Sequence, residues 1–123
     1  MPAVVFCEDD PTIQKLIRVA LRSCPYDVHI AGDGAEGLAL IERLLPMVVF
    51  TDVSMPNVDG PELIRRMKAR PELADIPVVI LTASAQRAEL EVVARLGVDD
   101  CMTKPFSASD LRSRLEGYAD RVG

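Results

Sequence analysis

Short apolar runs alternate along the chain with longer amphipathic stretches. The third and fourth runs are almost continuously apolar and rich in β-branched residues, which is typical of strands buried on both faces of a parallel sheet. The last run is the shortest and has the weakest apolar character. The pattern predicts five strands, at Ala3–Cys7, Val28–Ala31, Met47–Thr51, Pro77–Thr82 and Cys101–Thr103.

The stretches between these runs carry apolar residues at helical spacing. Asp10 and Pro11 favour a helix start, as an N-cap followed by a first-turn proline, and Ser107 is a second N-cap candidate. Gly97 is placed as a C-cap. Five helices are predicted, with apolar positions at Ile13, Leu16, Ile17, Ala20 and Leu21; Ala35, Leu38, Ala39 and Leu45; Leu63, Ile64 and Met67; Leu90, Val93 and Ala94; and Ala108, Leu111, Leu115 and Tyr118.

Strict alternation of strands and helices predicts right-handed βαβ units and a parallel sheet covered by helices on both faces. A chain of 123 residues is too short for an eight-unit barrel. It fits the smaller flavodoxin-like (βα)5 fold, a doubly wound five-stranded sheet with strand order 2-1-3-4-5. From its length we expect residues 1–123 to form a single domain.

Composition narrows the classes of function. The chain has 14 Lys and Arg against 19 Asp and Glu, a formal net charge of −5, which argues against direct contact with nucleic acid. No apolar run approaches a membrane span, and the residues after Met1 lack the basic flank of a secretory signal, so we expect a cytoplasmic protein. Three scattered cysteines and one histidine, His29, argue against a disulfide framework and a zinc site.

Polar side chains follow the predicted strands at their carboxyl ends, where ligands bind in open parallel sheets. Glu8 and Asp9 follow the first strand and Asp52 follows the third, which is its neighbour in the predicted order. Converging carboxylates repel one another unless some are protonated or a cation lies among them, and an all-oxygen donor set suits Mg²⁺. With the amine of Lys104 and the hydroxyl of Thr82, this set is suited to transferring a phosphoryl group onto a carboxylate.

Four segments at these strand ends carry a resemblance to a known family. They are Cys7–Pro11, Thr51–Gly60, Leu81–Ala83 and Lys104–Phe106. With these segments in this order, essentially the whole chain resembles the receiver domain of two-component response regulators, such as the chemotaxis regulators. Each segment alone is a weak signal, but four in order at successive strand ends are specific.

The resemblance implies a role for each site residue. Asp52 would be the phosphoacceptor. Glu8, Asp9 and Asp52 would hold Mg²⁺ together with the backbone carbonyl of Ser54. The phosphoryl donor would be a phosphohistidine on a sensor histidine kinase or a phosphotransfer protein, and no external substrate would be turned over.

Further roles follow from the same resemblance at the other strand ends. Thr82 would bond a phosphoryl oxygen, Lys104 would neutralise another, and the Lys104–Pro105 peptide bond would be cis. Three residues before the lysine the family has Tyr or Phe, whose pose is coupled to the hydroxyl residue, whereas this chain has Cys101. A thiol does not fill the volume of a ring, so Thr82 and Cys101 form an altered switch pair. We expect a structural, half-buried thiol rather than a redox sensor, since no cationic residue lies directly beside Cys101 in sequence to activate the thiol.

The resemblance also implies partners. A downstream effector or a fused output domain would read the phosphorylated state, through the face of the fourth predicted helix, the fifth strand and the fifth predicted helix. Mixed charges on that face suit a symmetric homodimer. They are Arg87, Arg95, Asp99, Asp100, Arg112 and Arg114. Two further positions, Ser54 and Ser84, vary in the family and tune the lifetime of the acyl phosphate.

Two other classes of function compete with this interpretation. A phosphatase of the dehalogenase-like class uses a second aspartate two residues after its nucleophile as general acid and base, and this chain has Ser54 there. A flavin carrier on the same fold conflicts with three carboxylates that would repel the FMN phosphate. A phosphate-independent interaction module stays open, because Cys101 replaces the aromatic ring.

Overall fold

The computed structural model describes residues 1–83, 91 and 94–122. Five parallel strands form one sheet in the order β2-β1-β3-β4-β5, which confirms the predicted topology. The strands are β1 (Ala3–Cys7), β2 (Asp27–Ala31), β3 (Val48–Asp52), β4 (Val78–Thr82) and β5 (Asp100–Thr103). The helices whose two ends are both defined in this part of the chain are α1 (Pro11–Ala20), α2 (Gly34–Leu44), α3 (Gly60–Lys68), α4 (Pro71–Ala74) and α5 (Ala108–Val122).

The region between α3 and β5 differs from the prediction. The four-residue helix α4 was not predicted, because one turn is too short to show a 3.6-residue period. Of the next predicted helix, Leu90 and Val93 lie outside the described residues, while residues 94–96 are helical. Gly97 follows them with φ of 70°, a left-handed conformation suited to the predicted C-cap.

Side-chain caps fix where the longer helices begin. Asp10 accepts a hydrogen bond from the backbone N–H of Thr12 at 2.8 Å, and Pro11 occupies the first turn of α1, as predicted. Ser107 Oγ accepts from a backbone N–H in the first turn of α5 at 3.0 Å, which confirms the second predicted cap. Asp33 and Asp59 cap α2 and α3 in the same way and were not predicted.

The core has two layers, one on each face of the sheet. Alternate residues of β1 divide between them: Val4 and Phe6 pack with α1 and α5, whereas Val5 and Cys7 pack with α2 and α3. Phe6 stacks on a phenylalanine of β3 with ring centroids 4.7 Å apart. Every residue of β4 is buried, whereas β2, at the sheet edge, is partly exposed. This packing makes β1 and β3 a rigid base for the groups at their carboxyl ends.

Candidate functional site

Three carboxylates meet at the carboxyl ends of β1 and β3. The two strands are neighbours, and Cys7 pairs with Thr51, so Glu8 and Asp52 emerge at the same level. One carboxylate oxygen from each of Glu8, Asp9 and Asp52 lies within 4.8 Å of the others. Glu8 is buried, Asp52 is partly buried and Asp9 is exposed. The strand order therefore brings together groups that lie 43 to 44 residues apart in sequence.

Lys104 joins two of these carboxylates. Its Nζ donates to Glu8 Oε2 at 2.8 Å and to Asp52 Oδ2 at 3.0 Å. The backbone N–H of Lys104 donates to the carbonyl oxygen of Thr82 at 2.6 Å. The Lys104–Pro105 peptide bond is cis. Lys104 is thus held at its backbone beside the end of β4 and at its ammonium group between the ends of β1 and β3.

The other oxygen of each carboxylate accepts from a backbone amide. Glu8 Oε1 accepts from the N–H of Asp10 at 3.1 Å, and Asp52 Oδ1 accepts from the N–H of Val53 at 2.8 Å. Gln14 Nε2 donates to the carbonyl oxygen of Glu8 at 2.6 Å, a contact from α1 that sequence reasoning missed. Glu8 and Asp52 therefore share one arrangement, with a fixed amide on one oxygen and the ammonium of Lys104 on the other.

The charges of this cluster shift two pKa values. Burial raises the pKa of Glu8 above its usual range; the hydrogen bond from Lys104 opposes that effect in part, and the charge of Asp52 adds to it. Burial alone would lower the pKa of Lys104, but its hydrogen bonds to Glu8 and Asp52, with their charges, outweigh burial and raise it. The side chain of Lys104 is therefore positively charged at neutral pH.

The donor set fits a divalent cation. Three carboxylates against one ammonium leave two formal negative charges uncompensated by Lys104. All the converging ligand atoms are oxygens, the type that Mg²⁺ prefers, and the exposed Asp9 leaves the cluster open to water, which Mg²⁺ retains in its shell. The residues present are thus suited to hold Mg²⁺.

The remaining predicted site residues lie around this cluster. Thr82 is buried at the end of β4, one residue beyond the partner of Asp52 in the β3–β4 register. Ser54 is exposed, two residues beyond Asp52. Cys101 lies on β5 opposite Ile80 and is half-buried against the core layer of α2 and α3. Ser84 lies outside the described residues.

The structure corrects the predicted partner face of the fifth strand and the last helix at one residue. Arg114 forms an ion pair with Asp100, but Arg112 donates to the carbonyl oxygen of Ala20 at the end of α1, so its assignment to the same face was wrong. Residues two apart on a helix point about 200° from each other, which places Arg112 and Arg114 on different sides of α5. Arg87 lies outside the described residues.

Comparison with known proteins identifies the family. The family model of the response regulator receiver domain matches residues 4–116, and the chain belongs to this family. The transcriptional regulator RpaA of Synechocystis sp. is 36% identical over 122 residues, which cover 99% of this chain and 51% of RpaA. TrcR of Mycobacterium tuberculosis is 35% identical over 120 residues, which cover 96% of this chain and 45% of TrcR. The chain thus spans about half the length of these curated relatives.

Solved structures agree. The receiver domain of the Francisella response regulator 1452 matches with a TM-score of 0.87 and 31% identity over 100% of both chains. The receiver domain of the sensor histidine kinase PA1611 from Pseudomonas aeruginosa, with a magnesium ion coordinated in its active site cleft, matches with a TM-score of 0.86 and 28% identity. These matches cover 95% of this chain and 96% of the PA1611 domain.

The family defines a general function. Receiver domains are phosphorylation switches of two-component signalling and bind Mg²⁺ at an acidic site; in general they do not turn over external substrates. In the described part of this chain, none of the helices combines the length and the apolar character needed to cross a bilayer.

Proposed function

We propose that this chain is a phosphorylation-dependent signalling switch that accepts a phosphoryl group from a phosphohistidine donor onto Asp52 with Mg²⁺. The observation that supports this most is the position of Lys104, whose ammonium group contacts both Asp52 and Glu8. A carboxylate nucleophile beside a fixed cation and two further carboxylates is the arrangement that phosphoryl transfer requires, because positioning and charge neutralisation supply most of its catalysis.

In the proposed transfer, a carboxylate oxygen of Asp52 forms a bond to phosphorus as the bond from phosphorus to the donor imidazole nitrogen breaks. The imidazole leaves with the bonding electron pair and takes up a proton. Lys104 neutralises one phosphoryl oxygen, and the hydroxyl of Thr82 donates to another. Asp52 is held for this step by the N–H of Val53 on its other oxygen.

Glu8, Asp9 and Asp52, with the backbone carbonyl of Ser54, would hold the metal ion. Bound there, Mg²⁺ supplies positive charge that lowers the repulsion between an incoming phosphoryl group and the carboxylates. Burial of Glu8 and its tie to Lys104 keep that carboxylate in place. The exposed Asp9 leaves the entrance open to donor and solvent.

The phosphoryl group would act as a switch through charge. It adds about two negative charges at Asp52, and the contacts formed by Thr82 and Lys104 would shift the ends of β4 and β5. A sensor histidine kinase or phosphotransfer protein would supply the group in the cytoplasm. A downstream effector, a fused output domain or a second copy of the chain would read it; the partial coverage of RpaA and TrcR supports the fused arrangement.

A phosphate-independent interaction module is the second candidate. Cys101 favours it, because the aromatic ring that the family couples to the Thr82 position is replaced by a thiol. Under this alternative the acidic cluster would remain but phosphorylation would leave the partner surface unchanged.

Intact mass after incubation with acetyl phosphate tests the proposal. The wild-type chain should gain the mass of one phosphoryl group only when Mg²⁺ is present, and Asp52→Asn should gain none. Asp75→Asn removes the same charge at an exposed carboxylate that ends α4, and it should be labelled like the wild type. Labelling that persists in Asp52→Asn would refute Asp52 as the phosphoacceptor. A wild-type chain that is labelled neither by acetyl phosphate nor by phosphohistidine donors would favour the second candidate.

A further inference from the structure

The loop between β3 and α3 carries Ser54 and is fixed at both ends. At its start the N–H of Val53 donates to Asp52 Oδ1 at 2.8 Å. At its end the N–H of Gly60 donates to the carbonyl oxygen of Val53 at 3.0 Å. A Cβ on Gly60 would overlap the carbonyl oxygen of Asp52, so the first turn of α3 packs directly on the end of β3. The two ends of the loop are therefore held together, and its backbone conformation can change chiefly at residues 54–58.

The far part of this loop lies against the first turn of α2. Asn57 Nδ2 donates to Asp33 Oδ2 at 2.8 Å, a contact between residues 24 apart in sequence. A Cβ on Gly34 would overlap the carbonyl oxygen of Val58, and Val58 is buried. Asp33 itself is fixed, because its Oδ1 accepts from the N–H of Glu36 at 2.8 Å as the N-cap of α2.

The backbone of Asn57 is unusual. Its φ is 66°, in the left-handed region, where Asn is one of the few residues other than Gly found routinely. The hydrogen bonds from Glu36 N–H and the amide of Asn57 lower the pKa of Asp33, so both donors stabilise its ionised form. Asn57 thus combines the backbone conformation that turns the loop with the donor that ties it to α2.

We propose that the hydrogen bond between Asn57 and Asp33 is a positioning contact that holds the loop in the conformation in which the Ser54 carbonyl binds Mg²⁺, and so sets the metal affinity of the site. The inference rests on the proposed function of the acidic cluster. Its physical basis is preorganisation: ordering backbone residues costs conformational entropy, and a loop already tied to α2 avoids part of that cost when the metal binds. Partners that orient metal ligands have this effect on affinity in general.

Exchange of the two residues tests the contact. Asn57→Asp places two carboxylates face to face, so this variant should weaken Mg²⁺ binding by roughly tenfold. Asp33→Asn keeps the contact, because each amide carries both a donor and an acceptor and the two can bond to each other, so its affinity should stay within about threefold of the wild type. The double variant Asp33→Asn with Asn57→Asp has the wild-type charge and restores the hydrogen bond with donor and acceptor reversed, since an asparagine at position 33 can still cap α2 with its side-chain oxygen. Its affinity should return to within about threefold of the wild type, the signature of a coupled pair.

Mg²⁺ affinity is measured by titration with MgCl₂ while backbone amide signals near Asp52 are followed by NMR. A pure charge effect predicts that Asn57→Asp strengthens Mg²⁺ binding and Asp33→Asn weakens it. That pair of opposite shifts would overturn the proposal, as would a double variant that binds Mg²⁺ no better than the weaker single variant.

A glycine variant separates positioning from folding. Asn57→Gly keeps a residue that adopts φ of 66° without strain but removes the side-chain donor. It should lose Mg²⁺ affinity while its unfolding temperature in EDTA stays within a few degrees of the wild type. Unchanged Mg²⁺ affinity would overturn the proposal. Labelling of Asp52 at saturating Mg²⁺ should persist in all variants, so a wild-type chain that takes no label contradicts the proposed function, whereas unchanged affinity contradicts only the positioning role.

Discussion

The acidic cluster and the surroundings of Cys101 differ in how closely hydrogen bonds hold their side chains. In the cluster, all four carboxylate oxygens of Glu8 and Asp52 have a donor within 3.1 Å, and one ammonium group joins them. At Cys101 a small thiol lies half-buried against the core, and none of the hydrogen bonds of the cluster reaches its side chain. Under the proposed function, this difference predicts that acceptance of a phosphoryl group and transmission of its effect are separable in this chain.

The position of each region in the sheet explains the difference. Glu8 follows β1 and Asp52 ends β3, and both are inner strands that are almost fully buried by helices on the two faces of the sheet. Cys101 lies on β5, an edge strand with exposed residues at both of its ends. Inner strands resist local rearrangement, whereas edges open at lower free energy. The proposed metal site thus lies on the strands that resist rearrangement, and the proposed partner surface lies on the strand that opens more easily.

Removal of Lys104 should have the largest effect. Lys104→Ala takes away the cation that contacts Asp52 and Glu8, and we expect the rate of phosphoryl gain from acetyl phosphate to fall by about a hundredfold at saturating Mg²⁺. Lys15→Ala, which removes an exposed lysine of α1, is the matched control and should leave the rate unchanged. A Lys104→Ala variant labelled as fast as the control would show that the ion pair has no part in the chemistry.

The pH dependence of stability tests the burial of Glu8. Because burial raises its pKa in the folded state, the stability linked to this group is fully present below its usual pKa of 4.5 and is lost as the pH rises through the raised value. Glu8→Gln has no such titration. The free energy of unfolding of the variant, relative to the wild type, should therefore increase with pH across that range.

Urea unfolding in EDTA at several pH values measures this difference. The raised pKa of Lys104 adds no slope in the same range, since its stability is present below 10.5 and is lost only at higher pH. Parallel stability profiles for Glu8→Gln and the wild type would contradict the burial of an ionisable Glu8 in the folded chain.

The sequence predicted the architecture because its signals are local. Buried runs marked the five strands, and caps such as Asp10 and Ser107 marked helix starts. Strand order then placed Glu8 beside Asp52, as the structure has them. Contacts between segments that are distant in the chain leave no local pattern in the sequence. The donor of Asn57 and its acceptor Asp33 are each ordinary turn and cap residues in sequence, and only the fold brings them together.

Two errors of the sequence analysis concern helices and have different causes. Helix α4 has four residues, too few to produce an apolar period. Arg112 was grouped with Arg114 by proximity in sequence, whereas their separation of two residues places them on different sides of α5.

Substitution of Cys101 should have the smallest effect on the chemistry. Cys101→Phe places a ring at a half-buried position on the edge strand that takes no part in the hydrogen bonds holding Glu8, Asp52 and Lys104. Sites that share no partners act independently, so the rate of Mg²⁺-dependent labelling should stay within about twofold of the wild type. Cys101→Ser, which keeps the size of the thiol, is the control for the loss of sulfur.

The same variant should change what phosphorylation does to β5. If a ring couples this strand to the phosphorylated site, amide hydrogen exchange in residues 100–103 should respond more strongly to phosphorylation in Cys101→Phe than in Cys101→Ser. Labelling that slows tenfold or more in the ring variant alone would contradict the independence of the two regions, because it would show that the edge strand and the acidic cluster are energetically coupled. Equal exchange responses in both variants would show instead that a ring at position 101 is not enough to couple β5 to the acidic cluster. The two regions would then be uncoupled by other residues as well.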